Sequence, residues 1–529
     1  GCAAHLQAGV APLMEPPAAR WWETRWFAFA AILASCVPLL APDVPPLTDL
    51  PGHIGRFRVM LGTDADMLGR WYHFQWRLIG NLGADLLVAG LAPLTGLEPA
   101  VKLVTIATVA LSAAGILWIA REIHGRVTPF ALFALPLVYN YAFHFGFLNF
   151  ALAAALALNG FALWLRLGRL GRTGLRAALF LPLACGIWVA HVMGWGMLGL
   201  MVFGAELGLR RRDGGGWIDA AMRAAIACLP LASPLLPLLL WRPDGGGGIT
   251  ERFFSLRKVS WLAIFLRDRW WPFDFCSVLL LWGLIYRSAR NPRFGHSAAL
   301  VGACLMLACA FVLIPYKLFG SAYADMRLAP FIVLFALLAI RVDKGIGARE
   351  LRWLAVAGLA FFLARTAGTT ISFWQYGREY DRQLAALDHV PRGARIVAFV
   401  GDNCVDPWAL GRLDHLSGLA MARRAAFSND QWELAGSALL TIDAPAMGTF
   451  AIDPSEVVLA SPCRDKQDRM TIDQALRGFP RDAFDYVWLI APPPFDARLL
   501  AGTTPVWRDG ASGLYEIDRN RLSGGAPAH

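Results

Sequence analysis

Long apolar runs separated by short polar connections dominate the first 374 residues. The runs approach ~20 residues, the length that crosses a bilayer as helix. They fall at Trp26–Ala41, Val101–Ala120, Pro129–Tyr141, Phe150–Leu165, Ala177–Ala190, Gly194–Leu209, Ala221–Trp241, Phe275–Tyr286, Ala298–Pro315, Leu328–Ile340 and Leu354–Thr370. Ile79–Leu94 is apolar too, but Asn81, Gly83, Asp85, Gly90 and Pro93 interrupt it. The pattern predicts a polytopic α-helical membrane protein with about eleven transmembrane helices. After Trp374 the pattern changes. Arg395–Val400, Tyr486–Ile490 and Gly513–Ile517 read as strands with helix-like stretches between them. Residues 378–529 are therefore expected to form a small extramembrane α/β domain. Residues 1–25 read as a disordered tail, with Met14 a candidate start, and 26–374 as the transmembrane module.

Charge placement orients this layout. Arg20 and Arg25 precede the first run. Arginines then recur at 121 and 126, at 166–176, at 210–212, at 287–293 and at 341–352. If Ile79–Leu94 does not span, all of these connections face the same side, which the positive-inside rule makes the cytoplasm. If it spans, all of them flip. The first reading places the N-terminus in the cytoplasm and the C-terminal domain in the periplasm of a bacterial inner membrane.

Composition agrees with that class. The chain is 57% apolar and only 17% charged, against roughly 25% charged for soluble proteins. The net charge of +10 is held in the short loops and does not argue for nucleic acid. Of nine cysteines, most lie in or beside apolar runs. Cys404 and Cys463 lie in the C-terminal region and could pair in an oxidising compartment. No Cys/His spacing suggests zinc, and no phosphate-cradling glycine loop is present.

The candidate chemistry sits in the first loop, residues 42–78, which is too polar for a bilayer. Asp49 precedes Pro51 and is a candidate general base. The competing role is helix N-cap. His53, four residues on, shares a helix face with it. Lys317 and Arg327 bracket a later loop on the same side and could stabilise negative charge on a departing phosphate. Lys258 is a further candidate phosphate contact, in an aromatic and basic loop, Arg242–Asp274, with a flexible Gly245–Gly248 hinge. Asp43, Asp64 and Asp66 read as solvated loop charges, and His144 and His191 as structural.

An N-in first span, an acidic first outer loop, about eleven spans and an outer C-terminal domain together resemble the GT-C superfamily of integral-membrane glycosyltransferases. That superfamily includes the protein O-mannosyltransferases and the aminoarabinose transferase of lipid A. The resemblance implies a polyprenyl-phosphate-linked sugar donor, inverting transfer to a lipid, glycan or protein acceptor of the envelope, and catalysis at the outer face. It maps the first-loop acid onto Asp49 and the phosphate-contacting cations onto Lys317 and Arg327. Many members carry two adjacent acids in this loop, whereas Asp43 and Asp49 are separated here. No obligatory cofactor or metal is therefore expected, a divalent ion being the open alternative. The competing classes are a transporter or flippase of lipid-linked sugar and a non-catalytic envelope scaffold.

Overall fold

The computed structural model describes residues 20–240, 256–318, 321–342, 345–434 and 439–518. The expected tail 1–19 and the Gly245–Gly248 hinge lie outside the described residues. Residues 20–25, assigned to the tail by sequence, are ordered: Trp21–Glu23 forms a 3-10 turn, and Thr24 caps the following helix by accepting from the Phe27 N–H.

Among the described residues, five helices are long and apolar enough to cross a membrane: Leu97–His124, Leu148–Arg169, Thr173–Ala190, Val192–Arg212 and Ala348–His389. A sixth is counted if Trp217–Ala227 and Leu229–Pro237, bent by 55°, form one span. Four shorter apolar helices accompany them: Arg25–Leu39, Gly83–Thr95, Ala298–Leu313 and Met326–Ala339. Length and composition thus support five or six spans among the described residues, fewer than the expected total of about eleven. The run Pro129–Tyr141 is not one straight element. It is a short helix, Pro129–Ala134, followed by a 3-10 turn, Leu135–Tyr139. Pro136 has no N–H to continue the helical ladder.

The two ends of the bundle differ chemically. At one end Glu122 is held by Arg169 (2.6 Å) and Arg166 (3.2 Å), and Glu206 by Arg176 (3.1 Å) and Arg210. At the same end Arg126 approaches Glu23 (3.9 Å), His124 Nε2 meets the Leu338 carbonyl, and Phe294–His296 pairs with Ile340–Val342. The arginine-rich connections therefore gather together, as their spacing predicts. The first loop lies at the opposite end. Helix Gly83–Thr95 is only 13 residues long. It is followed by Leu97–His124, which starts near the C-terminal domain, where Glu98 pairs with Arg423 (2.8 Å), and ends among the arginines. Gly83–Thr95 consequently begins and ends at the first-loop end, in keeping with the non-spanning reading of Ile79–Leu94.

The C-terminal part is built on a six-stranded sheet. Its order is Met470–Thr471, Val457–Leu459, Ile396–Asp402, Tyr486–Ile490, Ser512–Ile517, Thr503–Asp509. The first four strands pair in parallel and the last two antiparallel. The central strand is a continuous buried run, Ile396–Val400, as a parallel strand covered on both faces requires. Cys404 and Cys463 form a disulfide.

This domain is joined to the first loop by backbone and charge. Tyr72–Phe74 pairs antiparallel with Leu440–Ile442. The Arg412 side chain, fully buried, donates to the carbonyls of Pro46 (2.5 Å) and His144 (3.0 Å) and to Asp268 Oδ1 (2.8 Å). Three distant parts of the chain are thereby held against one another at the mouth of the bundle.

Candidate active site

Pro51 suits the first turn of a helix, where its missing N–H breaks no bond, and helix Leu50–Met60 starts there. Asp49 is the residue before it. Its carbonyl accepts from the His53 N–H (3.0 Å), but its side chain makes no capping hydrogen bond. The carboxylate is therefore free of the N-cap role that the sequence allowed. It points into a cavity of about 430 Å³.

The Asp49 backbone is held from behind. Its N–H donates to the Phe145 carbonyl (3.0 Å), and the Thr48 N–H donates to the His144 carbonyl (3.2 Å). Gly146, at φ +96°, lies against it, and a Cβ there would stand 2.8 Å from the Asp49 nitrogen. Only glycine satisfies both the left-handed backbone and the close approach. Gly146→Ala is expected to lower Tm and to reduce turnover by roughly 10–10²-fold, because small misplacements of reacting groups are that costly. A thermal melt beside an activity assay checks both.

His53 lies in the same cavity with its Nδ1 unpartnered, its ring stacked near Phe57 and edge-on to Trp432 (5.4 Å). Burial, reinforced by the Arg56 charge, drives its pKa down to about 3, so it is neutral. Arg56 is itself neutralised by Asp85 (2.5 Å), and Asn149 holds the other Asp85 oxygen (2.9 Å).

Arg327 lines the same cavity. It is 5% exposed, and its guanidinium lies over Phe147 (4.3 Å from the ring centroid) and near Phe150. It donates to Ser321 Oγ (3.1 Å), its Nε has no hydrogen-bond partner, and no ion pair is formed with it among the described residues. A desolvated guanidinium with spare donors facing a cavity is a site for an anion. The remaining wall is apolar and aromatic, with Trp188, Val192, Met193 and Trp195.

The structure thus brings Asp49, His53 and Arg327 together. Lys317 stands just before the lining residue Leu318 and does not itself line the cavity. Lys258 is engaged elsewhere. Its ammonium takes the carbonyls of Phe311 (2.6 Å), Val312 (3.1 Å) and Ile314 (2.5 Å), with Asp325 at 3.7 Å. These carbonyls are the orphan acceptors at the end of helix Ala298–Leu313. Lys258 is a helix cap, and its donors are consumed. Of the two histidines read as structural, His144 is fully buried against Arg412, whereas His191 lines the Asp49 cavity with its Nδ1 accepting from the Met193 N–H.

A second group, from the C-terminal domain, was not anticipated from sequence. His415 packs against Trp432 (4.7 Å), its Nδ1 bonds the Asp430 carbonyl (3.0 Å), and Glu456 lies 3.5 Å away. Burial opposes a charge on His415, but Glu456, Asp453, Asp49 and Asp430 together hold its pKa up to about 9. It is therefore a cation beside the base. The Asp49 carboxyl is pushed up to about 7 by burial and by Asp414 and Asp453, with His415 and Arg327 pulling the other way. Burial likewise raises Asp430 and Glu456. Among the described residues no group of His, Cys, Asp or Glu is arranged to hold a metal ion.

No family model matches the chain, and no curated protein matches it. Among solved structures it is similar to ArnT from Cupriavidus metallidurans bound to undecaprenyl phosphate, at 13% identity and a TM-score of 0.49, over 93% of this chain and 97% of that one. The apo state of the same protein gives 12% identity and 0.47 over 93% and 98%. The arabinofuranosyltransferase AftD from Mycobacteria gives 15% identity and 0.42, over 93% of this chain and 40% of that one. Likenesses this distant do not assign a function. The site's own residues carry the reading that follows.

Proposed function

We propose that the chain is a membrane glycosyltransferase of the GT-C type. It moves a sugar from a polyprenyl-phosphate donor to a hydroxyl- or amine-bearing acceptor of the cell envelope. The observation that carries this reading is the meeting of Asp49 and Arg327, residues from opposite parts of the chain, in one cavity with an apolar wall. The membrane end bearing the cavity is the outer one, because the arginine-rich connections occupy the other end.

Asp49, ionised, takes the proton of the acceptor as the acceptor atom attacks the anomeric carbon. The bond from that carbon to the phosphate oxygen breaks, and the polyprenyl phosphate leaves with the bonding electrons. Attack opposite the leaving group inverts the anomeric centre. Negative charge grows on the phosphate as this bond breaks, and Arg327, already stripped of water, stabilises it more than it stabilises the ground state. The apolar wall receives the first isoprenes. Neutral His53 can offer or accept a hydrogen bond to a sugar hydroxyl without adding charge, and the Trp432 ring gives the sugar a face to stack on.

A carboxylic acid titrating near 7 is matched to base catalysis near neutral pH. Turnover is expected to rise with pH through about 7 as Asp49 ionises. The His415 cation holds that midpoint down, so His415→Gln should move it upward. A pH–rate profile of both proteins checks the direction. A transporter of the same lipid would leave the sugar–phosphate bond intact, and this separates it from the enzyme in a single product analysis.

A further inference from the structure

The arginine-rich end contains a second built cavity. It has a volume of about 170 Å³ and lies where several apolar helices begin or end. Arg20, Trp22 and Glu23 reach it from just before helix Arg25–Leu39. His124, Arg126 and Thr128 come from the turn after Leu97–His124, and Arg341 from the strand after Met326–Ala339.

Several of its polar atoms have no hydrogen-bond partner. Trp22 (2% exposed) and Thr128 (4% exposed) present an indole N–H and a hydroxyl with no hydrogen-bond partner. Arg20 Nη1 and Glu23 Oε1 are also without one. The carboxylate in the cavity, Glu23, stands 4.0 Å from Arg20 and 3.9 Å from Arg126, too far for either pair to be hydrogen-bonded through those atoms. Buried polar groups are nearly always paired, and three of these four atoms are donors, so the set calls for a bound group that chiefly accepts. Three guanidinium groups face one carboxylate here. The excess of positive charge favours an anion that takes hydrogen bonds from the indole, hydroxyl and guanidinium donors, while a protonated oxygen on it donates to Glu23 Oε1. A phosphate does all of this.

We propose that this cavity binds a phosphate group on the arginine-rich side of the protein, at a site separate from the Asp49 cavity. Its place at the ends of apolar helices is the level of lipid headgroups, where basic pockets between helices hold anionic lipids. The two sources of such a phosphate are a phospholipid headgroup and a free phosphate.

The test uses the full chain and the variants Arg126→Gln, Arg341→Gln and Thr128→Val. The two arginine changes are on exposed side chains and should leave the fold intact. Melting in nanodiscs of phosphatidylglycerol is compared with melting in phosphatidylcholine, and melting in detergent with inorganic phosphate is compared with chloride at equal ionic strength. Native mass spectrometry counts retained lipid. The expected result is a higher Tm for the wild type with phosphatidylglycerol and at least fivefold less retained lipid in each arginine variant, with Thr128→Val in the same direction. Stabilisation by inorganic phosphate alone, lost in the same variants, would assign the site to a soluble phosphate. Equal melting in all conditions, or gains as large in the variants as in the wild type, overturns the proposal. Because the Asp49 site is untouched, this outcome is independent of whether the chain transfers sugar.

Discussion

Asp49→Asn is expected to abolish sugar transfer in membranes supplied with polyprenyl-phosphate-linked sugar, by about 10²–10⁴-fold, the usual contribution of a positioned base. The same change should not weaken the fold. The carboxyl titrates near 7 in the folded protein and nearer 4 when unfolded. Between those values the folded state binds more protons, so stability falls as pH rises, and above 7 the whole deficit is present. An amide carries no such deficit. The variant should therefore melt at or above the wild-type temperature at pH 8 while losing activity. A residue that merely capped the helix would behave in the opposite way on both counts, and the absence of any side-chain cap at Asp49 already separates the two roles.

Arg327→Met is the second large effect. Loss of a preorganised group that stabilises developing charge costs about 10²–10³ in kcat. The loss should fall on kcat more than on KM, because the charge grows as the bond breaks. Met conserves the apolar stem against Phe147 and Phe150 and removes a buried cation that forms no ion pair among the described residues. Replacing such a charge with apolar volume is commonly neutral or stabilising. Arg327→Lys should recover part of the rate as a point charge without the two-pronged geometry. Steady-state kinetics and melting of both variants distinguish a phosphate-binding role from a packing role. A packing residue would lower Tm without changing kcat.

The helical membrane character could be read from the chain because long apolar runs leave little alternative, but several of those runs fold into helices too short to count as spans by length. Asp49 was legible because a charged loop between two apolar segments has to lie at the membrane edge. Arg327 was legible for the same reason. What the runs could not show is how a cation is spent. Lys258 sits in a loop as basic as any, yet three carbonyls at the end of a neighbouring helix take its donors. Apolarity alone also misjudged Pro129–Tyr141, where Pro136 divides the run into two short turns.

The larger omission was the C-terminal half of the site. His415, Asp430, Trp432 and Glu456 reach Asp49 across a separation of more than three hundred residues, and nothing in their local spacing announces a pocket. The available signal was the polar stretch Ser428-Asn429-Asp430-Gln431-Trp432, set between apolar segments. Its first four residues are fully or almost fully buried in the fold. A run of polar residues bounded by core-forming ones is unusual for a loop, and it marks a buried network. The close packing of Gly52 against Trp432 and Asp430 shows why that network is there: the extramembrane domain closes over the first turn of the Asp49 helix.

The most direct test of the central claim is photolabelling of the purified protein by a photoactivatable polyprenyl phosphate. The account predicts adducts on the cavity wall, at Trp188, Val192, Met193 or Trp195, that disappear in Arg327→Met. Adducts confined to the outer faces of the helices, or labelling unchanged by loss of Arg327, would contradict it.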